Sequence, residues 1–467
     1  MKLPIITTLF SALLVFALQM SVTAQEKQAT FMSFSLKQAQ EFAMENNTSM
    51  KNAQLDIKMA EKKIWETKAM GLPQVSASGT YTHLFVVPEA NFGGSSLISN
   101  SREGTTIAAV STGNGADSIF QNYFPGDPIK LGVKDNATVN LNVSQLIFSG
   151  EYIVGLQATK VFYQISQNSL QSTMADVKES VANTYFLVLL MEQNKEILSK
   201  SLSNVTKTLS DMKEMSRQGF IENTDIDQLE LTVNTLENGI RSVNNQIVAS
   251  NDLLKFQLGL SFENTLTLTD KLEDVLGLAD IVSISAKQFQ VQNHITYKIM
   301  ENQEAAGLLN VKRQKSAYLP SLAAFYRHTE NLKKASLDFT MKDMAGLSLS
   351  VPIFSGGMRN VMVQQREMEL EKIKNAKSNV ASGLELDFIN SRNTFNSAYD
   401  QYVSEKRNIE LTSRIYDKTL IKYKEGISSS MDLTNAQNQY LNAQKNYFTA
   451  LYTLLVSNNK LDKLLNN

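Results

Sequence analysis

Few side chains in this chain of 467 residues have the types and spacing that catalysis or metal binding requires. There is no cysteine, so neither a thiolate metal site nor a disulfide framework is available. The three histidines, His83, His294 and His328, are far apart and lack the spacing of metal ligands. Nothing resembles a nucleophile beside its base, a phosphate-binding loop or a carboxylate pair for hydrolysis. The sequence therefore predicts no enzyme, no cofactor and no metal centre.

Two aspartates follow glycines at matching places in the chain. Gly219 is followed by Asp225, and Gly426 is followed by Asp432. In one interpretation each aspartate is the N-cap of a helix that starts there, because its oxygens accept hydrogen bonds from free backbone amides. The glycines permit the positive φ at which many helices end. What these residues can provide is a negative charge at an exposed turn. The function of that charge depends on the elements around it.

The elements that position these turns occur twice. Alternating apolar and polar residues predict a strand at 139–148 and another at 345–354, and each ends in Phe-Ser-Gly. Long segments without proline follow both strands, and a helix of about 68 residues would be about 100 Å long. The helix after Gly219 has a heptad seam, which predicts a coiled-coil hairpin. The seam consists of Leu229, Val233, Leu236, Ile240, Val243 and Ile247, matched in the last helix by Ala436, Tyr440, Ala443, Tyr447, Ala450 and Leu454.

The chain divides into a leader and two structural repeats. Residues 1–24, with an apolar core followed by small residues, are predicted to be a secretory signal peptide. The first repeat, 25–260, has a helix, a β-hairpin at 74–148 with a long loop at 86–134, and a coiled-coil hairpin at 151–258. A linker at 261–280 follows. The second repeat, 281–467, has a helix, a β-hairpin at 321–354 and a coiled-coil hairpin at 358–465.

This arrangement predicts how the chain would meet a membrane. Beyond the signal peptide no apolar run is long enough to span a bilayer as a helix, so a membrane crossing would be a β-barrel. Four strands leave open sheet edges, which lipid does not tolerate. Three copies would give twelve strands, the smallest closed assembly wide enough for a passage. The net charge of −1 argues against nucleic acid as a partner.

The duplicated segments carry a family resemblance over nearly the whole mature length. They are LPQVSASGTY and LPSLAAFYRH, LIFSG and PIFSGG, and RQGFIENTDIDQLE and YKEGISSSMDLTNAQ. In order and in duplicate, they resemble those of the outer-membrane efflux proteins, the TolC family. The resemblance implies an α+β membrane protein with internal duplication. In such a homotrimer, four strands per chain form a shared transmembrane barrel that is continued by a coiled-coil α-helical barrel. It also implies the outer membrane of a Gram-negative bacterium, a periplasmic extension, and docking onto an inner-membrane transporter through a periplasmic adaptor.

The resemblance also assigns site residues at the two turns. Gate and constriction positions match Asp432, Asn435, Tyr423 and Ser428. Asn435 stands where similar proteins have a second acidic residue, and Ser428 where some have an arginine that holds the tip shut. Three Asp432 carboxylates near one axis would repel each other and raise the apparent pKa of at least one.

Adaptor docking is implied by the same resemblance, at the exposed turns where the helical hairpins reverse. The matching positions are Gly219, Glu222, Asp225 and Gly426.

Three functions fit the sequence. The first is the outer-membrane exit duct of a tripartite efflux pump, and the second is the duct of a type I protein secretion system with the same architecture. The third, of another class, is a structural coiled-coil protein without a pore. Alternating strands joined twice to long helices favour the two ducts, because a structural coiled coil needs neither feature.

Overall fold

The computed structural model describes residues 31–87, 89–90, 129–130, 133–218, 222–272, 275, 284, 287–333 and 340–466. The predicted signal peptide and nearly all of the predicted loop at 86–134 lie outside these residues. None of the described helices has an apolar stretch long enough to cross a membrane.

Long helices and a four-stranded sheet dominate the described part of the chain. The strands are β1 (Phe31–Phe34), β2 (Gln74–His83), β3 (Glu89–Ala90), β4 (Ile129–Lys130), β5 (Asp135–Phe148), β6 (Thr265–Leu268), β7 (Ser321–Asn331) and β8 (Asp343–Ser350). The α-helices are α1 (Leu36–Asn46), α2 (Thr48–Ala69), α3 (Gly150–Arg217), α4 (Asn223–Leu258), α5 (Ile295–Ser316), α6 (Met358–Lys424) and α7 (Ser430–Asn466). Backbone contacts divide the chain into two compact units. The first is Met1–Gln54, Leu170–Ile295 and Ala381–Asn467, and the second is Leu55–Ser169 and Thr296–Val380.

The first helical stretch has a well-formed N-terminus and is interrupted at Asn47. Ser35 and Gln38 form a capping box, with each side chain bonded to the other's backbone amide at 3.3 and 2.9 Å. A single helix was predicted before the first β-hairpin, but Asn47 separates α1 from α2 with an extended ψ of 136°. Its Oδ1 accepts from the Ser49 amide at 2.7 Å, so the side chain caps α2.

The stretch expected to be a linker contributes to the first unit. Strand β6 within it pairs in parallel with β1 along its whole length. Asp270, just after β6, accepts from the Leu36 amide at 2.7 Å and from the Tyr185 hydroxyl at 3.0 Å. Tyr185 is fully buried, and its hydroxyl also lies 3.0 Å from the Phe34 carbonyl oxygen. Residues 265–270 therefore help to hold the start of α1, because one carboxylate satisfies both the helix amide and the buried phenol.

The predicted seams are the packed faces of α4 and α7. Buried or half-buried side chains occupy every predicted position in both helices. Alanine alternates with tyrosine in α7, where Tyr440 stacks on Tyr416 with ring centroids 5.8 Å apart and Tyr447 lies 5.9 Å from Tyr402. The heptad prediction is confirmed at the level of burial, because the 3.5-residue spacing keeps one stripe of the helix facing its neighbour.

The second unit contains an antiparallel sheet in the order β2-β5-β7-β8. Both predicted hairpins are present, with β5 starting at Asp135 and β8 ending at Ser350, each a few residues earlier than expected. The register shifts between Leu146 and Phe148, at the end of β5. Within the described residues β2 and β8 each pair with one neighbour, so both edges of the sheet carry free backbone groups.

The two faces of this sheet differ in chemistry. One face, called here the apolar face, carries mainly Val75, Ala77, Tyr81, Val139, Leu141, Val143, Leu322, Ala324, Tyr326, Leu347 and Leu349. The opposite face, called the polar face, carries mainly Gln74, Ser76, Ser78, Thr80, Thr82, Asn136, Thr138, Asn140, Asn142, Ser144, Arg327, Thr329, Asn331, Ser348 and Ser350. Because side chains alternate across a strand, this pattern follows directly from the period of two in the sequence.

The two hairpins end their apolar faces with the same side-chain cluster. In the first, Asp135 Oδ1 is 2.6 Å from His83 Nδ1 and accepts from the Tyr81 hydroxyl at 2.8 Å. In the second, Asp343 Oδ1 is 2.8 Å from His328 Nδ1 and accepts from a tyrosine hydroxyl at 2.6 Å. Two of the three histidines thus have local carboxylate partners. No group of three metal-binding side chains occurs in the described part of the chain.

Candidate gate and docking tips

The predicted site residues lie at two turns of the first unit and in the helices next to them, apart from Gly219, which lies outside the described residues. The start of α4 with its N-cap residue, residues 222–225, is called here the first tip. The turn from the end of α6 into α7, residues 423–432, is called the second tip. The sequence explains both turns, because residues that favour the end of one helix are followed by residues that favour the start of the next.

Gly426 ends α6 with a left-handed backbone. Its φ is +73°, its amide donates to the Tyr423 carbonyl at 3.0 Å, and the Ile427 amide donates to the Lys422 carbonyl at 2.8 Å. This pair of bonds is a Schellman motif, which satisfies carbonyls left free at a helix end. The structural interpretation of Gly426 is confirmed, because only glycine adopts this φ without strain.

Asp432 belongs to the cap of α7, but not as the N-cap residue. Ser429 precedes the helix, and its Oγ accepts from the Asp432 amide at 3.1 Å. In return Asp432 Oδ2 accepts from the Ser429 amide at 3.1 Å and from the Ser429 hydroxyl at 2.7 Å. The expectation that Asp432 caps the helix itself is therefore wrong: it is the third helical residue of a capping box.

Three donors act on one oxygen of Asp432. Besides Ser429, the Ser428 hydroxyl donates to Oδ2 at 3.2 Å. Hydrogen bonds from the Ser429 side chain and amide, followed by the Ser428 hydroxyl, lower the pKa of Asp432 below its ordinary value. The carboxylate is exposed to solvent and stays ionised at neutral pH within one chain. The rise in pKa expected for three neighbouring carboxylates concerns the assembly and stays a prediction.

The first and second tips contact each other. The Ser430 hydroxyl, at the first position of α7, donates to Asp225 Oδ1, and both side chains are half-buried. Asp225 lies in the first turn of α4, whose N-cap is Glu222 without a side-chain cap bond. The expectation that Asp225 caps its helix is thus replaced by a bond to the other tip. Glu222 is exposed, and its carboxylate accepts from Thr224 at 3.3 Å.

Tyr423 lies inside the packing between the two hairpins. Its hydroxyl donates to the thioether of Met212 at 2.9 Å, and its ring contacts a core that includes Leu229 and Leu236. Burial, followed by the negative charge of Asp225, raises the pKa of Tyr423 to about 12. The phenol therefore acts as a neutral hydrogen-bond donor in this structure, which ties the second tip to α3.

Asn435 lies one turn beyond Asp432 in α7, and both side chains are exposed. A spacing of three residues places them on one side of the helix. Leu433, Thr434, Ala436 and Gln437 between and beyond them are buried. The polar pair therefore points away from the packed side of α7.

The structure brings together residues that the sequence did not single out. Ser429, Ser430 and Met212 provide the partners of Asp432, Asp225 and Tyr423. A signal for Ser429 was present, because Ser429 and Asp432 have the spacing of a capping box at a helix start. No signal in the sequence links Ser430 to Asp225 or Tyr423 to Met212, because both contacts join residues about two hundred positions apart.

Residues 297–467 match the sequence model of a family described as outer membrane efflux protein. The outer membrane protein TolC of Escherichia coli K12 is 24% identical over 395 residues, which cover 75% of this chain and 77% of that protein. The resemblance to the outer membrane efflux proteins is confirmed. The toxin and drug export protein A of Aggregatibacter actinomycetemcomitans is 20% identical over 301 residues, which cover 64% of this chain and 65% of that protein, less than two thirds of its length.

A solved outer membrane channel has the same fold. The Campylobacter jejuni outer membrane channel CmeC covers 92% of this chain, and 85% of its own chain is matched, at a TM-score of 0.68 and 16% identity. The names of the two relatives and of the solved structure describe outer membrane, export and channel proteins. At this identity the structural likeness establishes the fold, with its long helices and its sheet.

Proposed function

We propose that this protein is the outer-membrane exit duct of a tripartite efflux pump, carrying substrates from an inner-membrane transporter across the periplasm and the outer membrane. One observation carries the proposal: the sheet has an apolar face, a polar face and two edges without a partner strand in the described part of the chain, and each hairpin continues into a long helix, α3 or α6. A lipid-facing surface on one side and a wet passage on the other explain this alternation.

Closure of the sheet requires further copies of the chain. Free backbone groups at β2 and β8 would be unsatisfied in lipid, where no water replaces the missing partners. Three four-stranded sheets would form a twelve-stranded barrel, with the polar faces inward. The proposed assembly is therefore a homotrimer in which β8 of one chain pairs with β2 of the next. Duplication of the Tyr-His-Asp cluster in both hairpins supports the proposal that the chain consists of two structural repeats.

The tips are the proposed gate and docking site. Asp432 and Asn435, exposed on one side of α7, would face the three-fold axis and narrow the passage with one acidic and one neutral ring. Ser428 holds the Asp432 carboxylate, and Tyr423 anchors the second tip against Met212. The exposed Glu222, with Asp225, Gly426 and the neighbouring Gly219 position, would form the surface that a periplasmic adaptor contacts.

The first experiment is conductance of the purified protein in a planar bilayer. A duct gives discrete channels, and their appearance should require the trimer, as judged by crosslinking before reconstitution. As a control, a charged substitution at Leu347 on the apolar face, Leu347→Lys, should lower insertion because lysine in the lipid region is costly. Trimers that insert but carry no current would refute the channel and leave the structural coiled-coil function.

A second candidate function is the duct of a type I protein secretion system. One relative is named toxin and drug export protein A, and this name covers both toxins and drugs as cargo. The name therefore favours keeping protein secretion as a second candidate. The two functions share the architecture and differ in the transporter that the tips meet. Sequence features of the duct do not separate them, because selectivity for cargo belongs to the pump.

Photo-crosslinking in cells separates the two candidates. Photoreactive residues would replace Ser428 and Glu222, and mass spectrometry would identify the captured proteins. An adaptor of a proton-driven pump supports efflux of small molecules, and an adaptor of an ATP-driven exporter supports protein secretion. A bulky substitution at Gly426 that leaves trimers intact should reduce capture, since docking uses the exposed turn. Unchanged capture would place the docking site elsewhere.

A further inference from the structure

Arg327 is the only charged side chain on the polar face among the described strand residues of the four-stranded sheet. It lies in β7 opposite Asn142 of β5 and Met344 of β8. Every other charged residue of these strands, including Glu330 and Asp343, lies on the apolar face near its end. This face consists mainly of serine, threonine and asparagine side chains, with Phe325 and Met344 beside Arg327, and the described strand residues place no acidic side chain on it.

The side chain is held in place without being neutralised. Arg327 Nε donates to Asn142 Oδ1 at 2.8 Å. The neighbouring polar pairs continue this row, with Thr329 bonded to Asn140 at 2.8 Å and Thr138 bonded to the Asn331 side chain at 3.1 Å. No carboxylate in the described part of the chain lies within ion-pair distance of Arg327. The guanidinium therefore keeps its charge and its terminal N–H groups available to another molecule.

We propose that Arg327 binds oxyanions in the lumen of the duct and determines the ion selectivity of its barrel part. The inference rests on the proposed function, since three chains would place three guanidiniums around one passage. The ligand class is a phosphate or carboxylate group, which a guanidinium binds with paired hydrogen bonds. A duct with this ring favours anionic or zwitterionic cargo in its sheet, whatever charge the tips select.

Physical conditions in a barrel make a small ring effective. Arginine stays protonated throughout the physiological range, so the charge does not depend on pH. Low-dielectric walls of protein and lipid focus the field of fixed charges into the passage. Salt screens this field over about 10 Å at 0.1 M, so its effect on permeation is largest in dilute solution.

The corresponding position of the first hairpin supplies a matched variant. Tyr81, Thr82 and His83 repeat the pattern of Tyr326, Arg327 and His328, and the cross-strand bonds to aspartate coincide. Thr82 therefore occupies the place of Arg327 on the polar face of its own hairpin. Thr82→Arg would add a second set of cations to the same surface.

The test measures reversal potentials of reconstituted trimers in a KCl gradient at low salt. We expect Arg327→Gln to raise the permeability ratio of K⁺ to Cl⁻ by about threefold or more. Arg327→Lys should keep the original ratio, and Thr82→Arg should lower it. Lys333→Gln is the control, because that lysine lies 3.6 Å from Asp135 at the end of the apolar face. Its removal should leave the ratio unchanged.

Block by pyrophosphate provides an independent readout. Pyrophosphate should reduce the current of the original protein, and its apparent affinity should fall about tenfold in Arg327→Gln, corresponding to about 1.4 kcal/mol. Channels whose selectivity and block do not change in Arg327→Gln would overturn the inference while leaving the duct intact. Absence of channels from the original protein would instead contradict the proposed function.

Discussion

The bond between Ser430 and Asp225 predicts how firmly the tips stay together. Ser430 is the first residue of α7, while the cap of that helix is provided by Ser429, so Ser430→Ala removes the contact and leaves the cap. A hydrogen bond to a charged acceptor contributes about 1.5–3 kcal/mol, and partial exposure reduces this to about 1 kcal/mol. If opening separates the tips in all three chains together, the closed state loses about 3 kcal/mol. That loss shifts the equilibrium between the closed and open states roughly a hundredfold towards the open state.

Single-channel recording in planar bilayers measures this equilibrium directly. We expect Ser430→Ala to increase open probability or mean conductance, and Ser430→Thr to restore the original behaviour because it retains the hydroxyl. Thr224→Ala is the control, since its bond to Glu222 stays within the first tip. Trimers of Ser430→Ala that open no more often than the original protein would show that the contact persists in the open state, and the reasoning above would then fail.

Three further changes test the site and the fold. Gly426→Ala should destabilise the second tip by about 1 kcal/mol, because an alanine is strained at a φ of +73°. No atom lies within 4 Å of the new Cβ, so no steric clash adds to this cost, and the rate of proteolysis at the tip measures it. Tyr185→Phe should lower the melting temperature in detergent by removing about 1–2 kcal/mol, while Tyr452→Phe, whose hydroxyl has no partner in the described residues, should not. Asp432→Ala should weaken block of the channel by multivalent cations, as current recordings would show.

Sequence patterns predicted the long-range architecture because it repeats local rules. Period-two alternation in the strands and the heptad stripe from Leu229 to Ile247 each report burial of one face, and the structure has both. Glycine at position 426 predicted a left-handed helix end for the same reason, since the requirement is local to one residue. These features depend on residues that are close in sequence. They can therefore be predicted from one amino-acid sequence alone.

Contacts between distant segments were beyond the reach of the sequence. Asn47 breaks a helical pattern that continues on both sides, because its amide group also donates to the Gln257 carbonyl at 2.6 Å. Strand β1 is four residues long, too short for periodicity to mark, and it forms against β6. In the sequence nothing but its charge distinguishes Arg327 as a candidate residue. Its isolation becomes visible only when the register of the four-stranded sheet places the other charged residues of its described strands on the opposite face.

The two roles of Asp432, helix cap and acidic ring, act through the same carboxylate and are separable by substitution. All three hydrogen bonds from Ser428 and Ser429 go to Oδ2, an oxygen that asparagine also provides. Asp432→Asn therefore keeps most of the cap and removes the charge, whereas Asp432→Ala removes both.

Because the pKa of Asp432 is lowered, the cap contributes stability above the ordinary value of 3.8 and loses it as pH falls through the lower folded-state value. If block by multivalent cations depends on charge, Asp432→Asn and Asp432→Ala weaken it equally at neutral pH. If block depends on the shape of the second tip, Asp432→Asn behaves as the original protein. In that case the constriction is formed by backbone and packing around Tyr423 and Gly426, and the acidic ring has no part in it.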